Sequence, residues 1–210
     1  MNLKKLIQNY LGFVNFSSMI KLAMHGLWFR RKRVFFIFEG REYTYAEAYK
    51  QSLRYAHFFL SVRKKLVDEG RLDKNQRLSF GVYMDNNPEY LFASFGAGLS
   101  NSVLFAINSG FRGETLARVM DQAGIAFLII NDSTLEEVRS VISGARVIGR
   151  EDVYFVGDEK ACADSGFKSL RDAVDQAQKI EVSARDRVKV DNFSPVIVIY
   201  TSGTSGLPKG

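Results

Sequence analysis

The chain has 210 residues, 46% of them hydrophobic and 25% charged, with three prolines and a single cysteine. Those values are ordinary for one or two globular domains and exclude low-complexity and disulfide-framework proteins. The net charge of +6 is uneven: residues 1–38 contain seven Lys or Arg and no acidic residue, so the remainder is slightly acidic. A local basic excess without a recognisable RNA- or DNA-binding motif argues against nucleic acid as a partner.

The first unit, residues 1–34, is basic and contains Ile20, Leu22, Ala23, Leu27 and Trp28 at helical spacing before Arg30–Arg33. A basic amphipathic helix with an aromatic side chain suits peripheral contact with an anionic membrane surface, here through residues 1–33. A surface helix packed on the domain is the competing reading. A secretory signal fits poorly, because no long apolar stretch and cleavage site follow Lys4-Lys5. The expected location is cytoplasmic, with the inner membrane face as the alternative.

From residue 35 onward, strand and helix patterns alternate. Phe35–Phe38 and Arg41–Tyr43 read as a hairpin around Glu39-Gly40. Thr44-Tyr-Ala-Glu47 is a capping box opening a helix that carries Ala48, Leu53, Ala56, Phe59, Leu60 and Val62 and ends near Gly70. Arg77–Met84 is a strand. Asn87 caps the next helix, with Pro88 at its first position. Tyr90–Phe111 has no charge, yet its Gly, Ser and Asn residues make it a helix, a turn and a strand over Ser102–Ile107, not a membrane span. A helix over Arg112–Gln122 stops at Gly124. Ile125–Ile130 is a strand, and Ser133–Glu136 reads as a second capping box with a helix running toward Ile142. Val153–Val156 is a strand, and a short helix lies near Phe167–Ala177. The polar stretch Ile180–Ser194 leads to a last strand, Val196–Tyr200, whose unbroken apolar run is typical of burial on both faces. Alternation of this kind implies an α/β fold: a mainly parallel sheet with flanking helices.

The last strand runs into Thr201-Ser-Gly-Thr-Ser-Gly-Leu-Pro-Lys-Gly210. Gly203, Gly206 and Gly210 allow close backbone approach to a ligand. Thr201, Ser202, Thr204 and Ser205 supply hydroxyl donors, and Lys209 supplies charge. The combination suits a polyphosphate. It is not a Walker A loop, because Pro208 stands where that pattern needs glycine and Gly210 follows the lysine. A frayed Ser/Gly tail is the bland alternative. His25 and His57 are far apart and Cys162 is alone, so neither a metal centre nor a His- or Cys-based triad is expected; His57 reads as a structural residue of its helix and Cys162 as a spectator.

Tyr200–Gly210 resembles the phosphate-binding signature Y-T-S-G-[ST]-[ST]-G-x-P-K-G of the adenylate-forming enzymes, the superfamily of acyl-CoA synthetases, luciferases and peptide-synthetase adenylation domains. Tyr43–Glu47 is similar to that family's early L-T-Y-x-E-L motif, with Tyr43 and Ala48 in place of the leucines. Asn108, Arg112 and Leu116 form an N-x-x-x-R-x-x-x-L spacing that resembles long-chain and very-long-chain acyl-CoA synthetases and the fatty-acid transport proteins. The resemblance covers residues 35–210, as the N-terminal part of the large AMP-binding domain. It implies ATP, Mg2+ and coenzyme A as cofactor and co-substrates, and a carboxylic acid, a fatty acid by local similarity, as the molecule activated. It places Thr201, Ser202, Gly203, Thr204, Ser205, Gly206 and Lys209 on the β- and γ-phosphates. The family's adenine-contacting segment, its Mg-binding glutamate and its catalytic lysine match nothing within residues 1–210 and are expected downstream of Gly210. The 210-residue chain by itself is therefore expected not to adenylate. A non-catalytic phosphate-binding module and a membrane-associated protein are the alternative readings.

Overall fold

A computed structural model describes residues 30–183, 186–189 and 194–200. Most of the basic N-terminal unit, residues 1–29, lies outside this range, as do the loop residues Thr201–Gly210. The first described element is a hairpin of β1 (Val34–Phe38) and β2 (Arg41–Thr44), paired antiparallel with Phe38 opposite Arg41. Glu39 and Gly40 both take positive φ, 48° and 78°. That twist matches the flanking strands and is why glycine follows glutamate there.

Helix α1 (Tyr45–Asp68) begins at the expected capping box. The Glu47 amide donates to Thr44 Oγ1 at 3.2 Å, and the Thr44 amide donates to Glu47 Oε2 at 2.8 Å. The bond from the Thr44 backbone holds the exposed Glu47 carboxyl below its usual range. The buried face of α1 is Ala48, Tyr55, Ala56, Phe58, Phe59, Leu60 and Leu66, whereas Leu53 is 41% exposed and Val62 is half-buried.

The sheet contains β3 (Ser79–Tyr83), β4 (Val103–Ala106), β5 (Leu128–Asn131), β6 (Val153–Val156), β7 (Lys168–Ser169) and β8 (Ile197–Ile199), in spatial order β7-β6-β5-β3-β4-β8. Every described pairing within it is parallel. Helices α1, α2 (Pro88–Ser100) and α6 (Leu170–Ala177) pack on one face around Phe59, Phe80, Phe92, Phe127 and Val174. Helices α3 (Gly113–Ala123), α4 (Leu135–Val141) and α5 (Glu159–Ser165) cover the other around Leu116, Met120, Ile130, Val138 and Phe155. Strand periodicity sorts them: Phe127 and Ile129 face the first layer, Leu128 and Ile130 the second. In the first core Phe80 and Phe127 stack with centroids 5.1 Å apart, and Phe59 lies 4.3 Å from Phe80.

Several expectations change on contact with the structure. Ser133 does not cap a helix: Asp132–Thr134 is a single 3-10 turn, α4 starts at Leu135, and the Ser133 hydroxyl donates to Asn131 Oδ1. The helix expected to begin at Arg112 begins at Gly113, and the one near Phe167–Ala177 begins at Leu170 with Ser169 as its cap. Helix α5, capped by Asp158, was hidden because seven residues are too few to show a period. The last strand is not buried on both faces: Ile197 and Val198 are half-buried and Ile199 is 64% exposed, because β8 forms an end of the described sheet.

His57 and Cys162 have structural surroundings. His57 Nε2 lies 2.7 Å from the Ile180 carbonyl, tying α1 to the chain that follows α6. Cys162 is buried, and that burial pushes its thiol up, away from the thiolate form a nucleophile needs. Arg63 is also buried, and its guanidinium donates to the carbonyls of Lys74, Gln76 and Asp186.

Helices α1 and α2 meet closely at Gly96. A Cβ there would stand 2.8 Å from Tyr55 Cβ and 3.1 Å from the Ala56 amide nitrogen, so α2 approaches α1 only because this position is glycine. Gly96→Ala is expected to destabilise the protein by about 1–3 kcal/mol through overpacking, despite alanine's better helix propensity. A lowered urea midpoint with unchanged slope checks this.

Candidate nucleotide site at the carboxyl edge

Because the sheet is parallel, its strands deliver their carboxyl ends to one edge. β3 leaves that edge into α2 on one face, and its neighbour β4 leaves into α3 on the opposite face. Where adjacent strands diverge in this way a crevice opens, the usual ligand position in open α/β sheets.

β8 brings the Gly-rich segment to this edge. Ala106 of β4 is paired with Ile199, the Tyr200 amide donates to the Ala106 carbonyl at 3.4 Å, and the Tyr200 ring packs 6.2 Å from that of Phe105. Tyr200 is buried. The chain therefore enters Thr201–Gly210 beside the segment that follows β4. Thr201, Ser202, Gly203, Thr204, Ser205, Gly206 and Lys209 themselves lie outside the described residues.

The segment after β4 is tightly fastened. Asn108 Oδ1 accepts from the Gly110 amide at 2.8 Å, and the Asn108 carbonyl accepts from Phe111 at 3.0 Å, which folds the chain back. The Arg112 guanidinium donates to the Tyr83 hydroxyl and the Phe111 carbonyl, both at 2.8 Å, and to the Ser109 carbonyl. Its Nε faces Glu137 Oε2 at 3.4 Å, while Glu137 Oε1 accepts from the Gly113 amide at 2.6 Å. The Tyr83 hydroxyl donates to the Phe111 carbonyl at 2.6 Å, and Thr134 Oγ1 donates to the Tyr83 carbonyl at 2.7 Å. Burial pushes the Tyr83 phenol up, with Arg112 opposing the shift, so it remains a hydroxyl at neutral pH.

Asn108, Arg112 and Leu116 thus have distinct jobs. Asn108 shapes the turn, Arg112 fastens it to β3 and α4, and the fully buried Leu116 anchors α3. Arg112 is occupied by Glu137 and by carbonyls, which makes it a brace of the crevice wall. Sequence reading missed Tyr83, Thr134 and Glu137: Tyr83 looks like a core aromatic in an apolar strand, and Glu137 has no spacing that relates it to Arg112. Among the described residues no group of three or more His, Cys, Asp or Glu side chains could hold a metal ion. No helix among them is long and apolar enough to cross a membrane.

The family model for AMP-binding enzymes matches residues 29–210. The mouse long-chain fatty acid transport protein 6 is 25% identical over 182 residues, which is 85% of this chain and 26% of that protein. A 4-hydroxybutyrate–CoA ligase of Metallosphaera sedula is 25% identical over 200 residues, 92% of this chain and 33% of that protein. The chain spans about a quarter to a third of these relatives' length. Among solved structures, an anthranilate CoA ligase bound to anthranoyl-AMP superposes with a TM-score of 0.65 at 15% identity, over 90% of this chain and 33% of that one. A red-emitting luciferase of Phrixothrix hirtus gives 0.65 at 14% identity, over 92% and 44%.

Tyr83→Phe removes the hydroxyl that joins Arg112 to the Phe111 carbonyl while keeping the ring. The expected cost is about 1–2 kcal/mol, with faster amide exchange across residues 108–113 and little change in β5 or β6. Hydrogen exchange followed by mass spectrometry separates the two regions.

Proposed function

This chain belongs to the AMP-binding enzyme family, and from that premise we propose that it is the N-terminal portion of an ATP-dependent acyl-CoA synthetase acting on a fatty acid. The observation that carries the proposal is the parallel β4–β8 pairing, which leads the chain into the Thr201–Gly210 sequence at the carboxyl edge of the sheet. The 4-hydroxybutyrate–CoA ligase among the relatives supports ligation of a carboxylic acid, and the long-chain fatty acid transport protein together with the Asn108–Arg112–Leu116 spacing favours the fatty acid.

In the proposed reaction the substrate carboxylate attacks the α-phosphate of ATP, giving an acyl-adenylate and pyrophosphate; the thiol of coenzyme A then displaces AMP. Backbone N–H groups at Gly203 and Gly206, the hydroxyls of Thr201, Ser202, Thr204 and Ser205, and the Lys209 ammonium would hold the β- and γ-phosphates. Their contribution is positional and electrostatic: they fix the leaving group in line and stabilise charge that grows on it. Thr201–Lys209 contains no carboxylate and no residue of this chain is assigned to Mg2+, which would accompany ATP as its counter-ion. The lysine that would complete adenylation is assigned outside residues 1–210. Residues 1–33 are proposed to make peripheral membrane contact, and deleting them should shift the full-length protein out of the membrane fraction.

Substrate class is tested by ATP–pyrophosphate exchange with the full-length protein across 4-hydroxybutyrate, benzoate, octanoate and palmitate. Exchange that is strongest with the long aliphatic acids supports the reading. Exchange confined to the short or aromatic acids refutes the fatty acid, and no exchange with any acid refutes the ligase.

A further inference from the structure

A second cavity lies far from the β8 edge. It has a volume of about 590 Å³ and is bounded by the β1–β2 hairpin, α1, the start of α2, the carboxyl end of β6 and α6. That is within the range of small-molecule sites, about 300–1,000 Å³. Its floor is apolar and rigid: Tyr55, Phe92, Leu170 and Val174 are buried, and the Phe92 ring is 6.2 Å from that of Tyr55 and 6.1 Å from that of Tyr43.

The charges around it sort into committed and uncommitted groups. Glu47 is held by its capping box, and Arg54 is paired with Asp175. Arg41 stacks 4.5 Å from the Tyr43 ring and acts on Glu89. Burial pushes the Glu89 carboxyl up toward its neutral form, and Arg41 opposes that. Lys50 on α1 and Arg171 on α6 remain, and among the described residues neither makes an ion pair. They come from different elements onto one cavity with an aromatic floor.

We propose that this cavity is a binding site for an amphipathic organic anion, its apolar body on Tyr55 and Phe92 and its acid group between Lys50 and Arg171. β6 is separated from β8 by β5, β3 and β4. At roughly 5 Å per strand the β6 side of the cavity lies about 20 Å from the chain's entry into the Gly-rich segment. The Lys50 and Arg171 side of the cavity is therefore distinct from the Gly-rich segment, although the start of α2 borders both this cavity and the crevice, and the proposal does not rest on the nucleotide assignment.

The probe is 8-anilinonaphthalene-1-sulfonate, titrated by fluorescence into the folded full-length protein, with stoichiometry from calorimetry. The expected result is one saturable site. Lys50→Glu with Arg171→Glu should weaken it at least about tenfold, the loss of a charge-assisted contact. Lys160→Glu with Lys179→Glu, an equal charge change on exposed positions elsewhere, should leave it intact, as should Lys209→Ala. Equal weakening by both charge-reversal pairs, or an absence of saturable binding, overturns the site. Loss on Lys209→Ala moves the anion to the Gly-rich loop and overturns it as well.

Discussion

β8 is joined to the rest of the sheet along one side, by the pairs Leu104–Ile197, Phe105–Val198 and Ala106–Ile199. This short parallel ladder is the constraint on which the functional reading depends. A parallel register forces β8 to point the same way as β3, β4 and β5, so its carboxyl end lies at the edge where the connections to α2 and α3 diverge. An antiparallel β8 would send the Gly-rich segment to the opposite end of the sheet. Tyr200 reinforces the ladder by burying its ring in the second core, next to Phe105.

The remainder of the fold supplies a stiff frame behind that edge. Aromatic packing between α1 and the centre of the sheet fixes one layer, and the approach of α2 at Gly96 leaves no room for adjustment. On the other face the Tyr83–Arg112–Glu137 brace joins β3, the β4 exit and α4. The groups that shape the crevice wall are thus held by hydrogen bonds to backbone as much as by packing. Buried guanidinium groups are costly unless their donors are used, and Arg63 uses its donors on three carbonyls. That arrangement, with His57 on Ile180 and Asn101 on Val188, pins the described parts of the chain between α6 and β8.

Much of this was legible in the sequence because it rests on local rules. Thr44–Glu47, Asn87-Pro88 and Glu39-Gly40 each fix a helix start or a turn through neighbouring atoms, and each appears where expected. The alternation of apolar strands with helices sufficed for the parallel α/β class. What could not be read was non-local. Ser133 matched a capping pattern, but Asp132–Thr134 is a 3-10 turn whose Thr134 hydroxyl bonds the Tyr83 carbonyl on the neighbouring strand. Val196–Tyr200 has the composition of a central strand, yet spatial order, which composition does not encode, puts it at the end of the described sheet. Arg112 and Glu137 meet only through the tertiary fold. The signature residues Thr201–Lys209 were legible as chemistry, and their arrangement lies outside the described residues.

The central claim is that the segment carried by β8 holds the phosphates of a nucleotide. Calorimetric titration of ATP with Mg2+ into the full-length protein and into its Lys209→Ala variant tests it most directly, without requiring turnover or knowledge of the acyl substrate. The account predicts saturable binding by the unmodified protein and affinity reduced about tenfold or more in the variant, the loss expected for a charge-assisted phosphate contact. Equal affinity in both proteins, or no binding by either, would contradict it.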